Sequence, residues 1–316
     1  MCIRDSYYMG VFFGSSLAFL AGGITVDAVA RTPVIYLPLL GAMASWRLTF
    51  LIVGVPGLLF ALLVYTIREP QRRNLLRARD GQATELSFRQ TVVEMGSRWQ
   101  SVLGLSVGAI FQSSCAYALL SWTPTFFQRT HHWTPGQSGK LLALILVTFG
   151  CLGMYVGGAV SDRWHRRGTC DGALKVAVVS GIGTALLLPL ALILTQPEWT
   201  IALLAPGVFF IALPMGTSVA ALQRIFPNQV RGQVSALFLF FLNLGGQTLG
   251  PLGPGLLNDR LFHNEGMIGP SMAITIGAAA ILMVFAFQAT VRPYRADYAA
   301  MHMAQSQMAV SGAMPQ

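Results

Sequence analysis

One group of ionisable residues directly follows an apolar run, in the decapeptide Gly158-Ala-Val-Ser-Asp162-Arg163-Trp-His-Arg166-Arg167. A carboxylate such as Asp162 can interact with the positive N-terminal end of a neighbouring helix, and small residues let helices approach closely. The arginines can bind carboxylates or lipid phosphates. This chemistry suits a contact that breaks and re-forms at the rim of a membrane protein. A plain basic flank of a membrane span is the alternative.

A second set of polar side chains lies deep inside apolar runs. Polar groups are costly to bury there and usually face a cavity or a partner helix. The set consists of Gln112, Ser113, Tyr117, Asn243 and Gln247. Asn243 and Gln247 are four residues apart and therefore share one helix face. We expect these side chains to line a cavity for a solute. Hydrogen bonding between helices is the alternative.

Neither a metal nor a cofactor is expected. The cysteines show no metal or disulfide spacing, and the sequence contains no nucleotide-binding loop of the Walker type. Asp27 and Asp259 stand at the ends of apolar runs rather than in their middle. Proton coupling normally needs an acidic residue or a histidine within the membrane. The coupling ion, a proton or sodium, therefore stays open.

The elements that must position these residues are membrane-spanning helices. Of 316 residues, 54% are hydrophobic and only 10% are charged, and the mean hydropathy is +0.58. A soluble domain carries about 25% charged residues. Helical spans need ~20 apolar residues, which predicts eight of them: Tyr7–Val29, Trp46–Ile67, Gln100–Phe127, Leu141–Val160, Ala173–Leu194, Ile201–Leu222, Val234–Leu257 and Ser271–Val291. The short apolar segment Thr32–Ser45 is predicted to be an interfacial or re-entrant loop.

Basic residues in the loops indicate the orientation of the spans. Excluding the first six residues, fifteen lysines and arginines fall on one side and five on the other. Both termini are therefore expected in the cytoplasm of a cell whose inner membrane holds the chain. This topology accounts for the net charge of +9, so no nucleic-acid partner is expected. The central loop 68–99 should end in a helix that lies on the membrane or docks under the bundle, and the tail 292–316 is expected to fray after Pro293.

An internal repeat relates the first predicted span to the seventh at an offset of 232 residues. Small residues coincide in the two spans: Gly14, Gly22 and Gly23 in the first, and Gly246, Gly250, Pro251 and Gly255 in the seventh. Residues 7–67 are then the last two helices of one six-helix bundle, and residues 100–291 form a second bundle. Residues 1–6 match a translated sequencing adapter, with a genuine start as the alternative. A chance match between two small-residue helices is the alternative to the repeat.

The decapeptide at Gly158–Arg167 resembles the loop signature of the major facilitator superfamily. The glycine pattern of the seventh span resembles the family's antiporter signature, although Ala18-Phe19 replaces its Gly-Pro in the first span. Ser121-Trp-Thr-Pro-Thr-Phe-Phe127, Trp133-Thr-Pro-Gly136 and Asn243-Leu-Gly-Gly-Gln247 are similar to the spinster-like branch. The resemblance implies an all-α membrane protein, a major facilitator fold fragment with eight transmembrane helices (two plus six) of an expected twelve.

The function that this resemblance implies is secondary active transport of a small organic solute or amphipath by alternating access. A non-transporting receptor or structural bundle is the main alternative, and a membrane-embedded transferase is a weaker one because no cluster of catalytic side chains accompanies Asp162. We expect no enzymatic activity. The expected partners are a small-molecule solute and the lipid bilayer, and the expected state is a monomer that cannot transport without its first four spans.

Overall fold

The computed structural model describes residues 3–30, 34–37 and 41–44, single positions and short pieces between 47 and 66, and residues 88–310. Its helices are α1 (Ile3–Ala30), α2 (Phe88–Ser97), α3 (Trp99–His131), α4 (Pro135–Ile145), α5 (Cys151–Arg166), α6 (Gly172–Ile193), α7 (Pro197–Ala212), α8 (Met215–Arg224), α9 (Asn228–Leu256) and α10 (Ile268–Val310). The described residues also include one antiparallel hairpin, in which β1 (Val34–Leu37) pairs with β2 (Gly41–Ala44).

Seven helical segments are long and apolar enough to cross a membrane: Met9–Ala28, Trp99–His131, Pro135–Arg166, Gly172–Ile193, Pro197–Arg224, Asn228–Phe262 and Glu265–Met303. They confirm seven of the eight predicted spans. The other predicted span, Trp46–Ile67, lies largely outside the described residues. The described part of the chain is therefore a multi-pass helical membrane protein.

Two of the spans contain a wider helical turn. A π turn at Leu146–Gly150 joins α4 to α5, and another at Leu257–Phe262 continues α9. Short π segments inside α-helices are local irregularities that often mark functional sites. The first π turn therefore divides the span Pro135–Arg166 into two segments, whereas the second ends the span Asn228–Phe262.

Buried apolar side chains form two groups within the bundle. One group surrounds Phe126 and Leu188, and the other surrounds Phe226 and Phe287. Large apolar side chains such as Phe285, which is 68% exposed, point outward where lipid would cover them. Burial of small and aromatic residues between helices, with apolar residues outside, is the arrangement expected of a helix bundle in lipid.

The chain does not fray after Pro293 as the sequence predicted. Helix α10 continues to Val310, and Tyr294 is fully buried with its hydroxyl donating to the Ala221 carbonyl at 3.1 Å. Arg295 donates to the buried carboxylate of Asp171 at 2.6 and 3.1 Å. Packing against other helices stabilises the segment that its polar composition alone would leave frayed, and the helix tolerates the proline.

The helix predicted at the end of the central loop is α2. Its Thr91 is fully buried and donates a hydrogen bond to the side-chain oxygen of Gln233 on α9, while Phe88 and Val93 are exposed. The helix therefore docks on the bundle, which is one of the two alternatives, and presents Phe88 and Val93 outward. Within the segment Thr32–Ser45, predicted to be a loop, the hairpin instead pairs Val34 with Ala44. Its β-branched and aromatic residues favour strands.

Candidate functional site

Three of the polar residues singled out in the sequence form one hydrogen-bonded cluster. The hydroxyl of Tyr117 on α3 donates to Asn243 Oδ1 on α9 at 2.9 Å. Gln247 Nε2 donates to the same hydroxyl at 3.3 Å. Asn243 Nδ2 donates in turn to the Leu239 carbonyl of its own helix at 2.8 Å. A single phenol thus holds two amide side chains in fixed orientations.

Close packing of α9 on α3 brings this cluster together. A Cβ added to Gly250 would lie 2.7 Å from the Ser114 carbonyl oxygen, and one added to Gly246 would lie 2.3 Å from Ser113 Oγ. Glycine is therefore the residue that allows the two backbones to approach. One turn beyond Tyr117, Trp122 Nε1 donates to the Pro251 carbonyl at 2.9 Å and ties the helices again.

The cluster borders an open cavity of about 570 Å³ on α9. Its lining residues are all uncharged: Ala236, Leu239, Phe240, Asn243, Leu244, Gln247 and Thr248. Amide groups lie beside an aromatic ring and aliphatic side chains on this surface. All of these residues belong to α9, so the described cavity is one wall that can offer hydrogen bonds and apolar contact to the same molecule.

Gln112 and Ser113 lie away from this cavity. Gln112 is 5% exposed, and its Nε2 donates to the Ile211 carbonyl at 3.4 Å. Ser113 is buried against Gly246. Both side chains take part in contacts between helices, the alternative that the sequence left open for them.

The decapeptide Gly158–Arg167 covers the end of α5 and the residue that caps it. Asp162 Oδ1 lies 3.7 Å from Arg224 Nη2 at the end of α8. The Asp162 side chain is 59% exposed. Arg163, Arg166 and Arg167 are exposed. Gly157 makes the close helix contact, since an added Cβ would lie 2.0 Å from the Leu213 carbonyl oxygen.

The repeat-related glycines differ in their surroundings. On α9, Gly246 and Gly250 pack against α3, and an added Cβ on Gly255 would lie 3.4 Å from the Trp122 ring. On α1, Gly14 and Gly22 have open space beside them. Gly23, by contrast, packs tightly against the start of α4.

Two polar contacts were not foreseen from the sequence. Asp171 is 1% exposed and binds Arg295, with Lys175 Nζ at 3.5 Å. Asp27 accepts a hydrogen bond from Thr134 Oγ1 at 2.9 Å. Asp171 directly precedes α6, which is a recognisable sequence signal. Arg295 is 124 residues from Asp171, however, and Thr134 is 107 residues from Asp27, so neither contact could be read from the sequence.

Comparison with known proteins decides the family. The sequence model of the family described as Major Facilitator Superfamily matches residues 6–251 of this chain. The chain belongs to this superfamily. Its membership confirms the resemblance seen in the decapeptide, and it supports a membrane transporter rather than an enzyme.

Two curated relatives are named as transporters. An "MFS-type efflux pump" of Mycolicibacterium smegmatis is 28% identical over 260 residues, which cover 79% of this chain and 55% of the relative. A "Hexuronate transporter" of Bacillus subtilis is 22% identical over 272 residues, which cover 83% of this chain and 64% of the relative. The chain thus spans between about half and two thirds of these relatives' length.

The fold is similar to the crystal structure of a bacterial homolog to the human lysosomal transporter Spinster, in an inward-facing and unoccupied conformation. The TM-score is 0.67 at 19% identity, over 93% of this chain and 70% of the other. The occupied inward-facing form gives a TM-score of 0.55 at 20% identity. These similarities show that the chain shares the fold of that transporter.

Proposed function

We propose that this chain is the greater part of a twelve-span secondary transporter that moves a small organic solute or amphipath by alternating access. Residues 7–67 would complete an N-terminal bundle, and residues 100–291 would form the C-terminal bundle. The inner membrane is the proposed location, with both termini in the cytoplasm. A monomer coupled to protons or sodium remains part of the proposal.

The observation that carries this proposal is the cluster of Tyr117, Asn243 and Gln247 beside an open, uncharged cavity. Polar groups held together at the middle of membrane spans usually serve a pathway or a binding site. The cavity wall offers hydrogen bonds from the amides and apolar contact from Phe240. Hydroxylated organic solutes and amphipaths both fit this combination.

The relatives supply the first solutes to test. Besides the hexuronate transporter, they include a "D-galactonate transporter" of Escherichia coli and a "Cis,cis-muconate transport protein" of Acinetobacter baylyi. Radiolabelled hexuronate, galactonate and muconate should be offered to proteoliposomes that contain the full-length gene product, and an efflux assay with an amphipathic dye covers the other class. Protein-dependent flux supports the proposal. Saturable binding without flux would favour a receptor.

Tyr117→Phe tests the cavity within this function. Removing the hydroxyl breaks the hydrogen bond that each amide makes with Tyr117, so we expect KM for the transported solute to rise about two- to tenfold, the value of a typical hydrogen bond. Tyr155→Phe is the matched control because Tyr155 lies on α5 with 55% of its surface exposed. Equal KM values for the two variants and the parent would show that Tyr117 does not contribute to solute binding.

A further inference from the structure

Helix α1 meets α4 at the end opposite the basic loops, and a carboxylate lies at that meeting point. Asp27 Oδ2 accepts the hydrogen bond of Thr134 Oγ1 at 2.9 Å. The same oxygen lies over the first turn of α4, since a Cβ added to Gly136 would be 2.1 Å from it. Asp27 therefore faces the N-terminal end of α4, where the helix dipole favours a negative charge.

Two hydrogen bonds fix the start of α4, where this carboxylate lies. Thr134 Oγ1 accepts from the Gln137 backbone N–H at 3.2 Å, and Gln137 Oε1 accepts from the Thr134 N–H at 2.9 Å. These reciprocal bonds form a capping box, followed by Pro135 in the first helical turn. The hydroxyl that Asp27 binds is thus fixed in direction by the helix it caps.

Backbone contacts continue the interface by two further turns. A Cβ added to Gly23 would lie 2.8 Å from the Pro135 carbonyl oxygen, and one added to Gly139 would lie 2.5 Å from the Phe19 carbonyl oxygen. The contacts of α1 concentrate on α4 and become few beyond the π turn, where Phe12 covers Gly150. Among the described residues, the contacts of α1 with the span Pro135–Arg166 are therefore densest near Pro135.

We infer that Asp27 and Thr134 form a latch that closes the extracytoplasmic side of the transporter and must open in each cycle. This inference rests on the proposed function, in which α1 belongs to one bundle and α4 to the other. Asp27 is half-buried and Thr134 is exposed, so water can solvate both groups when the latch opens. A contact of this kind stabilises the closed conformation and can still break in each transport cycle.

Accessibility of a buried reporter tests the latch. Ser138 lies one turn below Thr134 and is fully buried, so Ser138→Cys should react with a membrane-impermeant maleimide only when α1 and α4 separate. The full-length gene product with Cys170→Ser, in spheroplasts, is the parent. We expect Asp27→Ala to raise the labelling rate about two- to tenfold, since it removes both the charge and the acceptor.

Asp259→Ala is the matched control, because Asp259 is the repeat-related residue on the π turn that continues α9 and is exposed. It should leave the labelling rate unchanged. Thr134→Val should also raise the labelling rate, although it removes the cap bond to Gln137 as well as the bond to Asp27. Thr134→Ser keeps the hydroxyl and should keep the parental rate. This pair decides the question if Asp27→Ala does not reach the membrane. Unchanged labelling in Asp27→Ala and Thr134→Val, or an equal rise in Asp259→Ala, overturns the latch.

Solute flux, measured separately in the parent protein, distinguishes the two failures. If the parent protein transports solute but the variants show no change in labelling, the transport proposal stands and the latch is contradicted. If labelling changes but the parent protein shows no flux, the contact between α1 and α4 is supported and the proposed transport is contradicted.

Discussion

Gly250→Ala should push α9 away from α3 and destabilise the bundle. The added methyl would lie 2.7 Å from the Ser114 carbonyl oxygen, 2.9 Å from the Ala118 nitrogen and 3.0 Å from Tyr117 Cβ. Two of these atoms belong to the backbone and cannot rotate aside, whereas ordinary carbon–oxygen contacts lie at ~3.3–3.6 Å. The helices must separate by roughly half an ångström or more.

The expected magnitude follows from two opposing effects. Overpacking costs ~1–3 kcal/mol. Alanine in place of glycine within a helix contributes ~0.5–1 kcal/mol in the other direction. Gly232→Ala on the same helix is the control, because a Cβ there would meet nothing within 4 Å. The helix-propensity effect is common to both variants, so their difference in unfolding free energy should be about 1–3 kcal/mol.

The assay is unfolding of the purified protein in mixed dodecylmaltoside and SDS micelles, followed by far-ultraviolet circular dichroism. The Gly250→Ala variant should unfold at a lower SDS fraction than the Gly232→Ala variant. If both variants shift equally, the close approach of α9 to α3 does not stabilise the bundle. Because Tyr117 Cβ is among the displaced atoms, the solute KM should also rise in the Gly250 variant alone.

Two more substitutions concern the cytoplasmic rim. Asp162→Asn should slow transport while leaving the unfolding free energy nearly unchanged, because an exposed ion pair such as Asp162–Arg224 contributes only ~0–1 kcal/mol. Uptake rates and cysteine accessibility at the cytoplasmic mouth measure this effect. If neither changes, Asp162 is only part of the polar flank of a membrane span. Asp171→Asn should lower the thermal unfolding midpoint more than Lys175→Gln does, because the buried carboxylate binds Arg295 at 2.6 Å and Lys175 only at 3.5 Å. Equal midpoints for those two variants would contradict a structural role of the Asp171–Arg295 pair.

For the seven spans that the structure describes, hydropathy was sufficient to predict where they lie, but not where they end. Leu141 was the predicted start of the span that begins at Pro135. The capping box of Thr134 and Gln137 was present in the sequence and would have placed the start correctly. The extension of α10 past Pro293 could not be seen in the same way, since the contact of Arg295 with Asp171 depends on two distant segments.

The candidate site was predicted in composition but not in geometry. Gln112 and Tyr117 stand five positions apart on α3, which turns them to different sides of the helix. Hydropathy inside an apolar span does not reveal which side faces a cavity, because lipid, a neighbouring helix and a cavity wall all accept uncharged residues. Asn243 and Gln247 were placed together by their own spacing. The position of Tyr117 between them required the packing of α9 on α3.

The π turn at Leu146–Gly150 changes the direction in which the rest of its span faces. Gly139 and Gly157 are about five full turns apart at 3.6 residues per turn, so an uninterrupted α-helix would point both the same way. A π turn accommodates an extra residue, which rotates all that follows by about 100° around the axis. Gly139 accordingly meets Phe19 on α1, and Gly157 meets Leu213 after α7. This change of phase lets one span hold one neighbour near one membrane face and a different neighbour near the other.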